Sequence, residues 1–66
     1  MDKVYLRLRP SEQVVTRCAA DIFAAYIGAG LVREGSETEW IARSVREAIE
    51  IARLADEWIT SDNEMS

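Results

Sequence analysis

Apolar residues recur along this chain with two different periods, and the change of period divides it into elements. Residues 3–9 alternate strictly, with Val4, Leu6 and Leu8 on one face and Lys3, Tyr5, Arg7 and Arg9 on the other. Period two predicts a short half-buried strand, or an extended arm laid on the rest of the molecule. From Pro10 onward the spacing becomes helical. Pro10-Ser11-Glu12 is a helix start, because proline fits the first turn and an acid there suits the helix dipole. The first helix is expected over 11–29. Val15, Cys18, Ile22 and Tyr26 mark its main stripe, and Phe23, Ile27 and Leu31 mark a second group on another side. Gly30 followed by Leu31 has the form of a left-handed cap with its apolar follower, although Gly28 is a second candidate for the end.

The second helix is expected over 36–60, with a frayed polar tail at 61–66. Ser36-Glu37-Thr38-Glu39 has the capping-box pattern directly before an apolar-periodic run. Ile41, Val45, Ala48, Ala52, Ala55 and Ile59 then follow at spacings of four and three, which is a heptad seam. Charges four residues apart lace the outward face: Glu39 with Arg43, Arg43 with Glu47, Arg46 with Glu50, and Arg53 with Glu57. A turn of about six residues makes the two helices antiparallel, so residues whose numbers sum to about 66 should face each other.

The expected fold class is therefore all-α: one domain over 1–66, an antiparallel helical hairpin preceded by a short arm. Each helix carries a second apolar stripe that a hairpin contact cannot hide. Trp40, Ile51, Leu54 and Trp58 form that stripe on the second helix, and Phe23, Ile27 and Leu31 answer on the first. Large side chains at this density imply an interaction surface. The expectation is a homodimer, two hairpins forming a four-helix bundle, with those seven residues as its interface. A different protein partner on the same surface is the alternative occupant. Ala20, Ala24 and Gly28 add a track of small residues along which a helix backbone can come close.

Length sharpens this expectation. At 66 residues the chain is a marginal domain, and chains of this size stabilise themselves with disulfides, a metal or oligomerisation. A single cysteine, Cys18, and no histidine leave oligomerisation as the expected route. The same absence of histidine removes the commonest general base, and no serine or cysteine has an evident activating partner. The di-iron carboxylate bundles need a Glu-x-x-His motif, which this chain cannot supply. No catalytic residue, no metal and no cofactor are expected. Asp21 and Asp56 stand out by position, and structural ion pairs with Arg17 and Arg9 are their expected roles.

Residues 1–9 hold three cations and one acid, whereas the remainder holds five arginines and eleven acids, within a formal net charge of −4. Such a body should repel nucleic acid and anionic membranes, and only the amino-terminal segment could attract them. The longest weakly charged run, residues 18–32, is shorter than the roughly 20 residues a bilayer needs. Without an apolar run at its start, and with one lone thiol, the chain is expected to be cytoplasmic.

An alternating basic strand, a proline and two helices together resemble the ribbon-helix-helix family of DNA-binding proteins. That resemblance implies a second fate for the arm, in which strands pair across a dimer and Lys3, Tyr5, Arg7 and Arg9 enter the major groove. Val4, Leu6 and Leu8 would then be buried, and Ser36 to Ala48 would correspond to the family's second helix. The chain departs from the family in a first helix about two turns too long, a longer turn and an acidic body. A non-catalytic interaction or scaffolding module is the principal expectation, and a regulator binding DNA through the arm is the alternative.

Overall fold

In the computed structural model the backbone is described for residues 8–65 and the side chains for residues 8–60. The described residues form two helices, α1 (Pro10–Gly28) and α2 (Glu37–Met65), packed against each other as a hairpin. The all-helical hairpin expected from the periodicity is present. No strand occurs among the described residues. The strand or arm expected over 3–9 lies, apart from Leu8 and Arg9, outside them.

Local chemistry explains both ends of α1. Pro10 occupies the first helical position, and the Arg9 backbone N–H donates to Glu12 Oε1 at 3.1 Å, which supplies a partner to a group the helix leaves orphaned. At the other end Gly30 adopts φ +76°, a region an L side chain enters at a cost. Its N–H donates to the Ile27 carbonyl at 3.0 Å, and the Leu31 N–H donates to the Tyr26 carbonyl at 3.1 Å. This is a Schellman cap, so the helix stops at Gly28 while Gly30 makes the reversal.

The start of α2 differs from the capping box that Ser36 and Glu39 suggested. The Ser36 hydroxyl turns back to Arg33, accepting from its N–H at 3.0 Å and donating to its carbonyl at 2.8 Å. Glu37 closes the turn instead, accepting from the Gly35 N–H at 2.6 Å. Gly35 sits at φ +92°, so Ser36 belongs to a tight turn before it can serve the helix. At its far end α2 continues through Met65, past the position where the polar composition suggested fraying.

The hairpin core is thin. Among the described residues Ala19 (6% exposed), Ser44 (1%) and Ala48 (1%) are the buried ones, and Ser44 is the largest fully buried side chain. The helices therefore meet at their closest across three small residues. Burial of Ser44 is not penalised, because its hydroxyl donates to the Trp40 carbonyl at 2.7 Å.

The facing register agrees with the rule from turn length: the rings of Tyr26 and Trp40, whose numbers sum to 66, lie 4.7 Å apart. The roll of α2 does not. Ile41 is 46% exposed, Val45 38% and Ile59 62%, so three members of the expected heptad seam stand largely open. Ala48 of that seam is buried as expected, and Trp40, Ser44 and Glu47 face α1 beside it in place of the three. At 100° per residue this is a roll of roughly 60° about the α2 axis. The cause is contact distance. A crossing built on Ser44 and Ala48 brings the backbones closer than one built on Ile41 and Val45, and it admits the aromatic pair near the turn.

Candidate interaction surface

The roll of α2 gives the hairpin two sides of different chemistry. On one side a groove of about 240 Å³ runs between Thr16–Phe23 of α1 and Ile41–Val45 of α2, floored by Ala19 and Ser44. Thr16, Ala20 and Phe23 contribute from α1, with Ile27 one turn further at 52% exposure. Ile41 and Val45 contribute from α2, with Ile49 one turn further, also 52% exposed. Among the described residues no charged side chain lines this groove.

The opposite side is mixed. Its groove of about 400 Å³ is lined by Ile22, Tyr26, Glu47, Glu50, Ile51 and Leu54. Here the Tyr26 hydroxyl donates a short hydrogen bond to Glu47 Oε1. Arg43 pairs with Glu47 (Nε to Oε2, 3.6 Å), and its guanidinium lies 5.6 Å from the Tyr26 ring centre and 5.2 Å from that of Trp40. These four residues clamp the turn end of the hairpin by aromatic, cation–π and hydrogen-bond contacts. The Glu47 carboxylate accepting from the phenol raises Tyr26 above its ordinary value of 10.0, and burial and the Glu47 charge act in the same direction.

The seven residues expected at an interface are split between these sides. Phe23 is half-buried in the apolar groove and Ile27 continues it. Leu31, 48% exposed, follows the Gly30 cap. Ile51 (53% exposed) and Leu54 (42%) lie on the mixed side, and Trp58, at 73%, is the most open large apolar residue among those described. Trp40 is drawn inward toward α1, half-buried against Tyr26. The contributions of Ile41, Val45 and Ile49 to an exposed face were hidden in the sequence. Heptad spacing marked the first two as hairpin core, and only the roll of α2 turns them outward.

The charges settle differently from their spacing. Among the described residues the ion pairs are Arg9–Glu12, Arg43–Glu47, Arg53–Glu50 and Arg53–Glu57. Arg53 holds Glu50 through two nitrogens, at 2.6 and 3.3 Å, which leaves Glu50 unavailable to Arg46. The same contact lowers Glu50 below its ordinary value and raises Arg53. Asp21 and Arg46 belong to none of these pairs, and neither does Asp56. Arg9, expected either to meet Asp56 or to read DNA, is spent on Glu12 at the start of α1 (3.9 Å). Lys3, Tyr5 and Arg7 lie outside the described residues. Among the described residues no helix is long and apolar enough to cross a membrane.

Comparison with protein-family models, with curated proteins and with solved structures yields no match to this chain.

Proposed function

We propose that this chain is a self-associating helical module: two hairpins pack through their uncharged sides into a four-helix bundle that serves interaction or scaffolding rather than catalysis. The observation that carries this reading is that, among the described residues, the hairpin's own buried core holds no large side chain. Ser44 is the largest residue fully covered, while Ile27, Ile41, Val45 and Ile49 stand 38–52% exposed on one side. Complete burial of such a side chain is worth roughly 1.5–3 kcal/mol, and about half of that is still unrealised at each position. A second copy would supply it. Four such positions in each of two chains amount to roughly 8 kcal/mol. That gross gain is comparable with the cost of association, so folding and assembly should be linked and should respond to dilution.

The test is the mass of the full chain in solution across a wide concentration range, by sedimentation equilibrium, together with its melting temperature at each concentration. The expected result is a species of twice 7.5 kDa whose melting temperature rises with concentration. A one-chain species that melts cooperatively at the same temperature throughout would remove the proposal.

A further inference from the structure

The two helices differ in length, and the difference falls at the end of the hairpin away from the turn. With Tyr26 against Trp40, positions of α1 and α2 are level when their numbers sum to about 65. Pro10 is then level with about residue 55. Since α2 runs to Met65, it projects past the start of α1 by about ten residues, or roughly 15 Å. The projecting part is apolar on the side along which α1 would continue. At 100° per residue Trp58 and Ile59 flank the Ser44 stripe with which α2 meets α1, yet they are 73% and 62% exposed. A hollow beside them is lined by Leu54, Ala55 and Trp58, and among the described residues α1 contributes nothing to it.

The charge of this end has one sign. Asp56, Glu57, Asp62 and Glu64 follow Ala55, and no cation comes after Arg53. The last turn of α2 holds no basic residue. Acids at the carbonyl end of a helix oppose its dipole, so positive charge brought from elsewhere stabilises such an end. Arg53 answers Glu57, whereas Asp56 is in none of the ion pairs among the described residues.

One segment meets both requirements and begins at the same place. Residues 1–9 hold Lys3, Arg7 and Arg9 against Asp2, and Leu6 and Leu8 share a face. Arg9 is extended (φ −67°, ψ 158°), and the Leu8 carbonyl accepts from Gln13 Nε2 at 3.0 Å. Leu8 is half-buried although it precedes the helix. We propose that residues 5–8 pack, extended, along the final turns of α2 of the same chain, with Leu6 and Leu8 toward its apolar side and the cations beside its acids. An extended chain rises about 3.3 Å per residue against 1.5 Å for a helix, so each step passes about two residues of α2. Leu8 comes level with Trp58 and Ile59, Arg7 with Asp62, and Leu6 with the last turn. Lys3 falls just past the carbonyl end, within a Debye length of it, about 10 Å at 0.1 M salt. A second copy of α2 on this end would instead set acids against acids.

The test uses the full chain with Trp40→Phe, which leaves Trp58 as the single indole. Acrylamide quenching reads Trp58, and amide hydrogen exchange reads the last turns of α2. In this protein Trp58 should be quenched more slowly than a free indole, and the last turns should be protected. Leu6→Ser should speed their exchange on the order of tenfold and leave Ser44 and Ala48 protected. Arg7→Glu should do the same at low salt and lose its effect at 1 M salt. Quenching and exchange already at the free rate, or left unmoved by Leu6→Ser, overturn the proposal, and an Arg7→Glu variant without effect at low salt overturns the role of charge. A second measurement places Leu6→Cys and Asn63→Cys in a Cys18→Ala chain, treated at high dilution with a short bis-maleimide and read by intact mass. Both cysteines should be bridged within one chain, and a mixture of chains carrying one cysteine each should link little. Equally efficient linking in that mixture overturns the proposal, because the segment then lies on another copy.

Discussion

Replacing Ile41 with serine probes the uncharged side of the hairpin most directly, provided it is compared with the same change at Ile51. The two isoleucines are similarly exposed, 46% and 53%, but Ile41 lines the uncharged groove and Ile51 the mixed one. Serine and isoleucine have similar helix propensity, so the backbone cost is common to both changes and small. Each substitution also removes a comparable amount of burial made within the hairpin. What differs is the burial a second copy adds. For Ile41 that is about half of a full side chain's 1.5–3 kcal/mol, hence roughly 1 kcal/mol, and twofold symmetry doubles it to roughly 2 kcal/mol per dimer. At 1.4 kcal/mol per tenfold, Ile41→Ser should raise the dimer dissociation constant about 30-fold more than Ile51→Ser does. Sedimentation equilibrium, supported by circular dichroism on dilution, measures both constants. Equal shifts for the two variants would refute the assignment of the groove as the contact. So would an unfolding midpoint that ignores concentration in the parent protein.

Other consequences concern the hairpin itself. Ala48→Leu forces a larger side chain into a crossing where Ala48 is 1% exposed, and should destabilise the fold by about 1–3 kcal/mol in urea titration; Ala42→Leu on the exposed face should not. Gly30→Ala meets no neighbouring atom, so the cost of about 1 kcal/mol expected in the same assay isolates the left-handed backbone at φ +76°. Tyr26, read by ultraviolet titration in a Tyr5→Phe background, should ionise above pH 10.0, and Glu47→Gln should bring it back toward that value. Because the folded phenol lies above its unfolded value, its contribution to stability is complete below pH 10 and is lost as pH rises through the folded value. An unchanged Tyr26 titration in Glu47→Gln would show that the carboxylate is not the cause.

The sequence alone determined the elements. Helical periodicity, Pro10 at the start of α1 and the Gly30–Leu31 pair at its end are local features, and local backbone chemistry reads them directly. The short turn likewise determined the antiparallel register that places Tyr26 against Trp40. Which face of α2 meets α1 was a different matter. Two adjacent apolar rows run along that helix, one through Ile41 and Val45 and the other through Trp40, Ile51, Leu54 and Trp58. Spacing cannot rank them, because both repeat at the helical period. The choice depended on how closely two backbones can approach, a property of the pair and not of either helix. Ser44, polar in the sequence, became part of the core because its hydroxyl is satisfied within its own helix, and Ala48 beside it let the crossing tighten. That contact turned Trp40 inward, left Ile41 and Val45 open, and so decided which side of the molecule carries uncovered apolar surface. The ion pairs followed the same logic. Spacing offered Glu50 to both Arg46 and Arg53, and geometry gave it to Arg53, because a carboxylate held by two guanidinium nitrogens has little left for a third charge.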